Sequence, residues 1–171
     1  MISGLVWLGA AVTATIANVP AGFTVLFFGG MLIFPIATLV VRKVFHRLPP
    51  SKENPGGLTV IETVFPMIGG FLAAWLILPH RIDFVFPICA IAVGGHYFGF
   101  RTAYGDKTYW LLALVMCVSG LAAIFFKFPP ETVFPYVIAG IEIIFGVLFT
   151  WNGMSVENST PVPIPGESNT D

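Results

Sequence analysis

Charge is what this chain has least of. Asp, Glu, Lys and Arg make up 10% of its 171 residues, against about a quarter in soluble domains, while 56% are hydrophobic and the mean hydropathy is +0.88. Too few polar side chains are present to cover a folded surface in water, which predicts an integral membrane protein whose first partner is the lipid bilayer. The formal net charge is -1, and the eight Lys and Arg residues are spread over several loops, so no continuous basic face and no nucleic-acid partner are expected. Cysteine is nearly absent: Cys89 and Cys117 fall in separate apolar stretches without CxxC spacing, which excludes a disulfide framework and a thiolate metal site. No Lys or Arg precedes the opening Met1-Ile2-Ser3-Gly4-Leu5, so the basic region of a cleavable signal peptide is lacking and the first apolar segment is expected to persist as a helix. HExxH, GxSxG and P-loop patterns are missing as well. A bis-histidine haem would need two His at one depth, whereas His46 and His80 fall on opposite sides of the membrane and neither matches His96. A metal site would have one His and distant carboxylates. Nothing specifies an enzyme, and no metal or cofactor is expected.

What the chain does have is long apolar runs. Six of them approach the roughly 20 residues needed to span a bilayer, which predicts an all-α bundle of six transmembrane helices. They cover residues 2–18, 22–44, 59–78, 83–103, 108–126 and 131–151. The breaks carry turn residues: Asn18-Val19-Pro20, the polar stretch from His46 to Gly57, Pro79-His80-Arg81, Tyr104-Gly105-Asp106-Lys107 and Lys127-Phe128-Pro129-Pro130. The transmembrane domain thus covers 1–151. Residues 152–171, with Pro161-Val162-Pro163-Ile164-Pro165 and an acidic end, read as a disordered cytoplasmic tail, because their composition offers little apolar area to bury.

Six spans place both termini on one side, and the basic residues choose which. With the termini inside, Arg42, Lys43, Arg47, Lys52, Arg101 and Lys107 are cytoplasmic, and only Arg81 and Lys127 are external. Trp7, Tyr104, Tyr109, Trp110 and Trp151 then fall near the inner boundary, with Trp75 and Tyr136 near the outer one.

The pattern acidic-x-Val-Phe-Pro occurs at Glu62 to Pro66, Asp83 to Pro87 and Glu131 to Pro135. Each copy is expected to open a helix, since a carboxylate in the first turn meets the positive end of the helix dipole and a proline there loses no hydrogen bond. Three local helix starts are preferred over a duplication, because the offset between Glu62 and Glu131 does not superpose the other helices. Pro35, deep in the second helix, should free a backbone carbonyl near Met31.

Two ionisable groups stand at depth. His96, in Gly94-Gly95-His96-Tyr97, and Glu142, in Ile141-Glu142-Ile143, lie on helices that run in the same direction, at depths of roughly 20 and 17 Å from the helix starts. An ionisable side chain in hydrocarbon costs roughly 2.5 to 3.5 kcal/mol, so it usually has a partner, a cavity or a task, and the two groups could meet across a helix interface and share a proton or a hydrogen bond. Tyr97 and Arg101 form an i,i+4 pair, Arg101 is close enough to the interface to snorkel, and Glu62 could reach it. Gly94, Gly95 and Gly99 allow close approach around His96.

Phe34-Pro35-Ile36, Asn54-Pro55, Gly57-Leu58, Phe65-Pro66 and Gly94-Gly95-His96-Tyr97, with Phe100, Tyr104 and Tyr109, resemble a family of small bacterial multi-helix membrane proteins of unknown function. The likeness covers about residues 29 to 110, departs at Glu62 and Gly99, and has the Gly-x-His-aromatic run as its most specific part. It implies a bacterial inner-membrane protein and supplies no activity. Two functional readings stay open. One is a small-solute or proton-linked binding and transport protein with a polar pocket of His96, Tyr97, Arg101, Glu142 and Glu62. The other is a non-catalytic accessory or structural subunit, partnered with a second copy or another membrane protein, in which these groups only lock helices together.

Overall fold

A computed structural model describes residues 2–43 and 55–159, and every regular element among them is helical. In chain order these are α1 (Ile2–Ile16), α2 (Val19–Lys43), α3 (Pro55–Ile77), α4 (Val85–Tyr104), α5 (Thr108–Phe126) and α6 (Phe134–Ser159), with a 3-10 turn at Ile82–Phe84 before α4. Arg47 and Lys52, which weigh in the charge bias, and residues 160–171 of the tail lie outside the described residues. α5 covers the residues expected. α3 starts at Pro55 instead of 59, and α6 runs on to Ser159 instead of ending at 151.

The early start of α3 follows from Pro55, whose missing N–H and fixed φ suit the first helical position. One expectation fails as a result: Glu62 and Pro66 do not open a helix but lie inside α3. The other two copies do stand at helix starts, Asp83 in the turn before α4 and Glu131 just ahead of α6. Side chains cap two further ends. Asn18 Oδ1 accepts the Ala21 N–H at 2.8 Å at the start of α2, and Asp106 Oδ1 accepts the Thr108 N–H at 2.8 Å at the start of α5. Gly105 closes α4 in the left-handed region, φ 74°, and its N–H bonds the Arg101 carbonyl at 2.8 Å. α4 and α5 are thereby joined by a tight antiparallel turn.

α1 packs between α2 and α6, and α4 packs between α3 and α5. The two three-helix layers meet through large rings: Trp7 and Phe86, both essentially without exposure, have centroids 6.3 Å apart, and Phe71 of α3 lies 6.2 Å from Phe23 and 5.9 Å from Phe27 of α2. Within the layers, small residues set the spacing. A Cβ at Gly22 would fall 2.6 Å from the Ala10 carbonyl oxygen, and one at Gly120 would fall 2.7 Å from that of Pro87. Such close backbone approach supplies the dispersion contacts that hold helices together where lipid removes the hydrophobic drive between them.

The outward face is apolar. Ile16, Phe65, Phe125 and Phe126 are 78, 71, 77 and 79% exposed, in a belt that water would not tolerate. Four stretches are long and apolar enough to cross a membrane: Leu58–Ile77, Ile82–Tyr104, Thr108–Phe126 and Phe134–Trp151. Ile2–Ile16 and Val19–Ile33 are apolar but shorter. α1 rises about 22 Å, less than the roughly 30 Å hydrocarbon core. Its buried stripe of Gly4, Trp7, Ala10, Ala11 and Ala14 seats it against α2 and α6.

The glycine contacts make a direct test. Gly120→Ala should destabilise the protein in detergent by about 1–3 kcal/mol, because a carbonyl on α4 blocks the new methyl. Gly95→Ala, where a Cβ meets nothing within 4 Å, should leave the melting midpoint unchanged or raise it slightly. Equal melting curves for the two variants would show that the α4–α5 spacing is not set at Gly120.

Candidate functional site

Glu142 is the one charged side chain buried among the described residues, with 3% exposure. It sits on α6 opposite the C-terminal half of α4, and Tyr97 Oη donates to its Oε1 at 3.1 Å. Oε2 is also buried and has no hydrogen-bond partner among the described residues. Both oxygens of a carboxylate accept hydrogen bonds, and beyond Tyr97 the side chains of Ser3 and Trp7 on α1 stand beside this one as weaker donors. The carboxylate borders a cavity of about 140 Å³ between the two helix layers. Its walls are Ser3 from α1, Tyr97 and Phe100 from α4, Tyr109 and Leu112 from α5, and Glu142, Gly146 and Phe149 from α6.

This lining also reveals the helix directions. Ser3 and Tyr109 open α1 and α5, whereas Tyr97 and Phe149 come late in α4 and α6. Thr63, early in α3, meets His96, late in α4. Gly22, early in α2, faces Ala10 and Ala14, late in α1. Successive helices therefore alternate in direction.

His96 does not pair with Glu142. Its Nδ1 is 2.8 Å from Thr63 Oγ1 on α3, and the same hydroxyl donates to the Val60 carbonyl at 2.9 Å. A hydroxyl has one proton to give, so Nδ1–H of His96 donates to Thr63 and the tautomer is fixed by α3. Gly99, one turn further along α4, makes room for this contact, since a Cβ there would fall 2.6 Å from Thr63 Cγ2. The physical reason for the exchange of partners is helical rotation: consecutive residues point about 100° apart. Tyr97 therefore turns to the cavity, while His96 turns to α3 and stacks edge-on against Phe100 at 4.9 Å.

The other predicted members scatter. Arg101 is half-buried with its Cζ 4.7 Å from the Trp110 ring centroid, and its Nε has no partner among the described residues. Glu62 is exposed on α3, and it does not pair with Arg101; the ion pair found among the described residues is Arg81 with Asp83, at 2.8 Å. Of the five residues expected in a polar pocket, the cavity holds Tyr97 and Glu142. Phe149, Gly146 and Ser3 were missed. Glu142, Phe145, Gly146 and Phe149 have the 3, 4 and 7 spacing of one helix face, a signal that was present in the sequence. Ser3 had none, because it enters only where α1 packs on α6.

A chain of rings extends the site. Phe100 lies 5.5 Å from both Tyr97 and Tyr109, and Tyr109 stacks on Phe149 at 4.2 Å with an interplanar angle of 20°. A second, larger cavity of about 240 Å³ lies at the opposite end, among Asp83, Ala123, Lys127, Pro129, Pro130 and Glu131. Its charged residues include both signs, and it contains no buried polar atom without a partner among the described residues, so the Glu142 cavity is the stronger candidate.

Replacing Tyr97 by Phe should leave the buried carboxylate without its donor and lower stability in detergent by about 1–3 kcal/mol. In the Glu142→Gln background the same change should cost clearly less, and a double-mutant cycle of melting midpoints checks this coupling.

A family model described as a family of unknown function, DUF7010, matches residues 1–152. No curated protein and no solved structure matches the chain.

Proposed function

We propose, for a chain that belongs to the DUF7010 family of unknown function, a six-span protein of a bacterial cytoplasmic membrane that binds a small solute beside Glu142 and passes it between the helix layers. One observation carries this reading: a buried carboxylate that lines a cavity of about 140 Å³ and has one oxygen without a hydrogen-bond partner among the described residues. A group that only glued helices together would be expected to have both oxygens satisfied, since an unpaired buried polar atom costs roughly 1–3 kcal/mol and more when charged. Ionisable groups at membrane depth mark solute and proton paths for the same reason.

The six-span reading draws support from the alternation of helix directions and the apolar outer belt. Termini inside follows from the bias of Lys and Arg, counted over residues that include Arg42, Arg47 and Lys52. The accessory-subunit reading has its own support at His96. Its hydrogen bond to Thr63 and the fit of Gly99 make a lock between α3 and α4, so His96 is assigned to packing and the proton-linked role is kept for Glu142 alone.

Two measurements test these statements. With a membrane-impermeant maleimide applied to intact cells, Lys127→Cys should label and Lys107→Cys should not; the reverse pattern overturns the orientation. For binding, the melting midpoint of purified protein should rise with at least one member of a panel of low-mass cations, neutral solutes and anions, by an amount that grows with concentration. Ser3→Leu, which fills the cavity, should abolish that rise. A panel without effect, or a rise indifferent to Ser3→Leu, rules out this cavity as a solute site and leaves the accessory reading.

A further inference from the structure

The chemistry of the cavity wall narrows the solute. No basic side chain is among the lining residues: Ser3, Leu112 and Gly146 add no charge, and the remainder are Glu142 and four aromatic residues. Arg101, on the same helix and one turn from Tyr97, is not among them, and its guanidinium lies over the Trp110 ring. The carboxylate thus stands on the cavity wall, buried to 3% exposure, with one oxygen unpaired among the described residues and no basic side chain among the lining residues. Aromatic rings attract cations through the negative face of their quadrupole, and rings gathered around a carboxylate form the arrangement that takes substituted ammonium groups.

Resting on the reading of this cavity as a solute site, we propose that its ligand is a small organic ammonium ion, held by the Glu142 carboxylate and by the rings of Tyr97, Phe100 and Tyr109. Phe149 acts behind them. Its ring stacks on Tyr109 at 4.2 Å and holds that ring in place. Tyr97 has two tasks, since its hydroxyl is engaged with Oε1 while its ring flanks the cavity. Size follows from volume. The cavity of about 140 Å³ is close to the roughly 150 Å³ of a cavity that accepts benzene, which limits the ligand to about six heavy atoms. A bare inorganic cation suits the wall poorly, because such ions need several oxygen ligands and this site offers one free carboxylate oxygen and a few hydroxyls.

The test uses the full chain in a non-ionic detergent, with tetramethylammonium chloride as ligand and tert-butyl alcohol as its uncharged counterpart of similar shape, both followed by calorimetric titration. Tetramethylammonium should bind saturably, tert-butyl alcohol at least tenfold more weakly, and excess sodium chloride should not displace the cation beyond its effect on ionic strength. Glu142→Gln and Tyr109→Leu should each weaken cation binding at least tenfold. If Glu142→Gln does not yield a monodisperse helical protein, Tyr109→Leu and Phe100→Leu decide, since both keep the charge and remove a ring. Equal binding of the alcohol and the cation, or cation binding unchanged in Glu142→Gln, overturns the ammonium assignment while leaving the cavity as a solute site. Displacement by sodium at equal concentration overturns it in favour of an inorganic cation. Failure of tetramethylammonium to bind, when another solute raises the melting midpoint in a manner abolished by Ser3→Leu, also removes the ammonium class alone; failure of every solute removes the cavity reading with it.

Discussion

The hydrogen bond from Tyr97 to Glu142 joins the two halves of this bundle at the point where burial is most costly. Glu142 belongs to the layer built on α1, and Tyr97 to the layer built on α4. A carboxylate buried to 3% exposure is costly unless hydrogen-bonded, so the donor that the opposite layer presents helps set how the layers face each other. The surrounding rings follow from that choice. With Tyr97 turned to α6, Phe100 turns to Tyr109, and Tyr109 reaches Phe149, so that one helix orientation generates the aromatic wall.

His96 shows the complementary use of a polar group. Bound to Thr63 and seated beside Gly99, it fastens α4 to α3 within one layer and leaves the interlayer space to its neighbour. Lipid offers helices no hydrophobic reason to associate, so specific hydrogen bonds and close backbone contacts must fix each pair. The chain uses both: polar contacts at Thr63–His96 and Tyr97–Glu142, and glycine contacts at Gly22 and Gly120. Most of what remains outside is apolar, including Phe125 and Phe126 at 77 and 79% exposure, with Glu62 an exception on α3.

Much of the architecture was legible without coordinates, and the reason is that long apolar runs broken by turn residues admit few structures. Scarce charge, the lengths of apolar runs and the turn residues between them determined an all-helical chain of six helices, and placed α5 on its residues. The same rules marked Glu142 as a group in need of a partner and placed the C-terminal half of α4 at its level, because rise per residue is constant along a helix. Helix starts were less legible: the Glu62 to Pro66 motif looked like an opening, but Pro55 had already begun α3.

Rotation about each helix axis was decided by tertiary packing alone. One residue of rotation, about 100°, separates His96 from Tyr97 and hence a lock on α3 from a donor to Glu142. In a strongly amphipathic helix the polar stripe would announce that rotation, but here every face is apolar and the pattern carries little azimuthal information. The sequence by itself determined which residues are deep and at what level. Only the packed structure decided which of them meet, because in lipid the facing of a helix is set by glycine gaps and hydrogen-bond geometry on its neighbours.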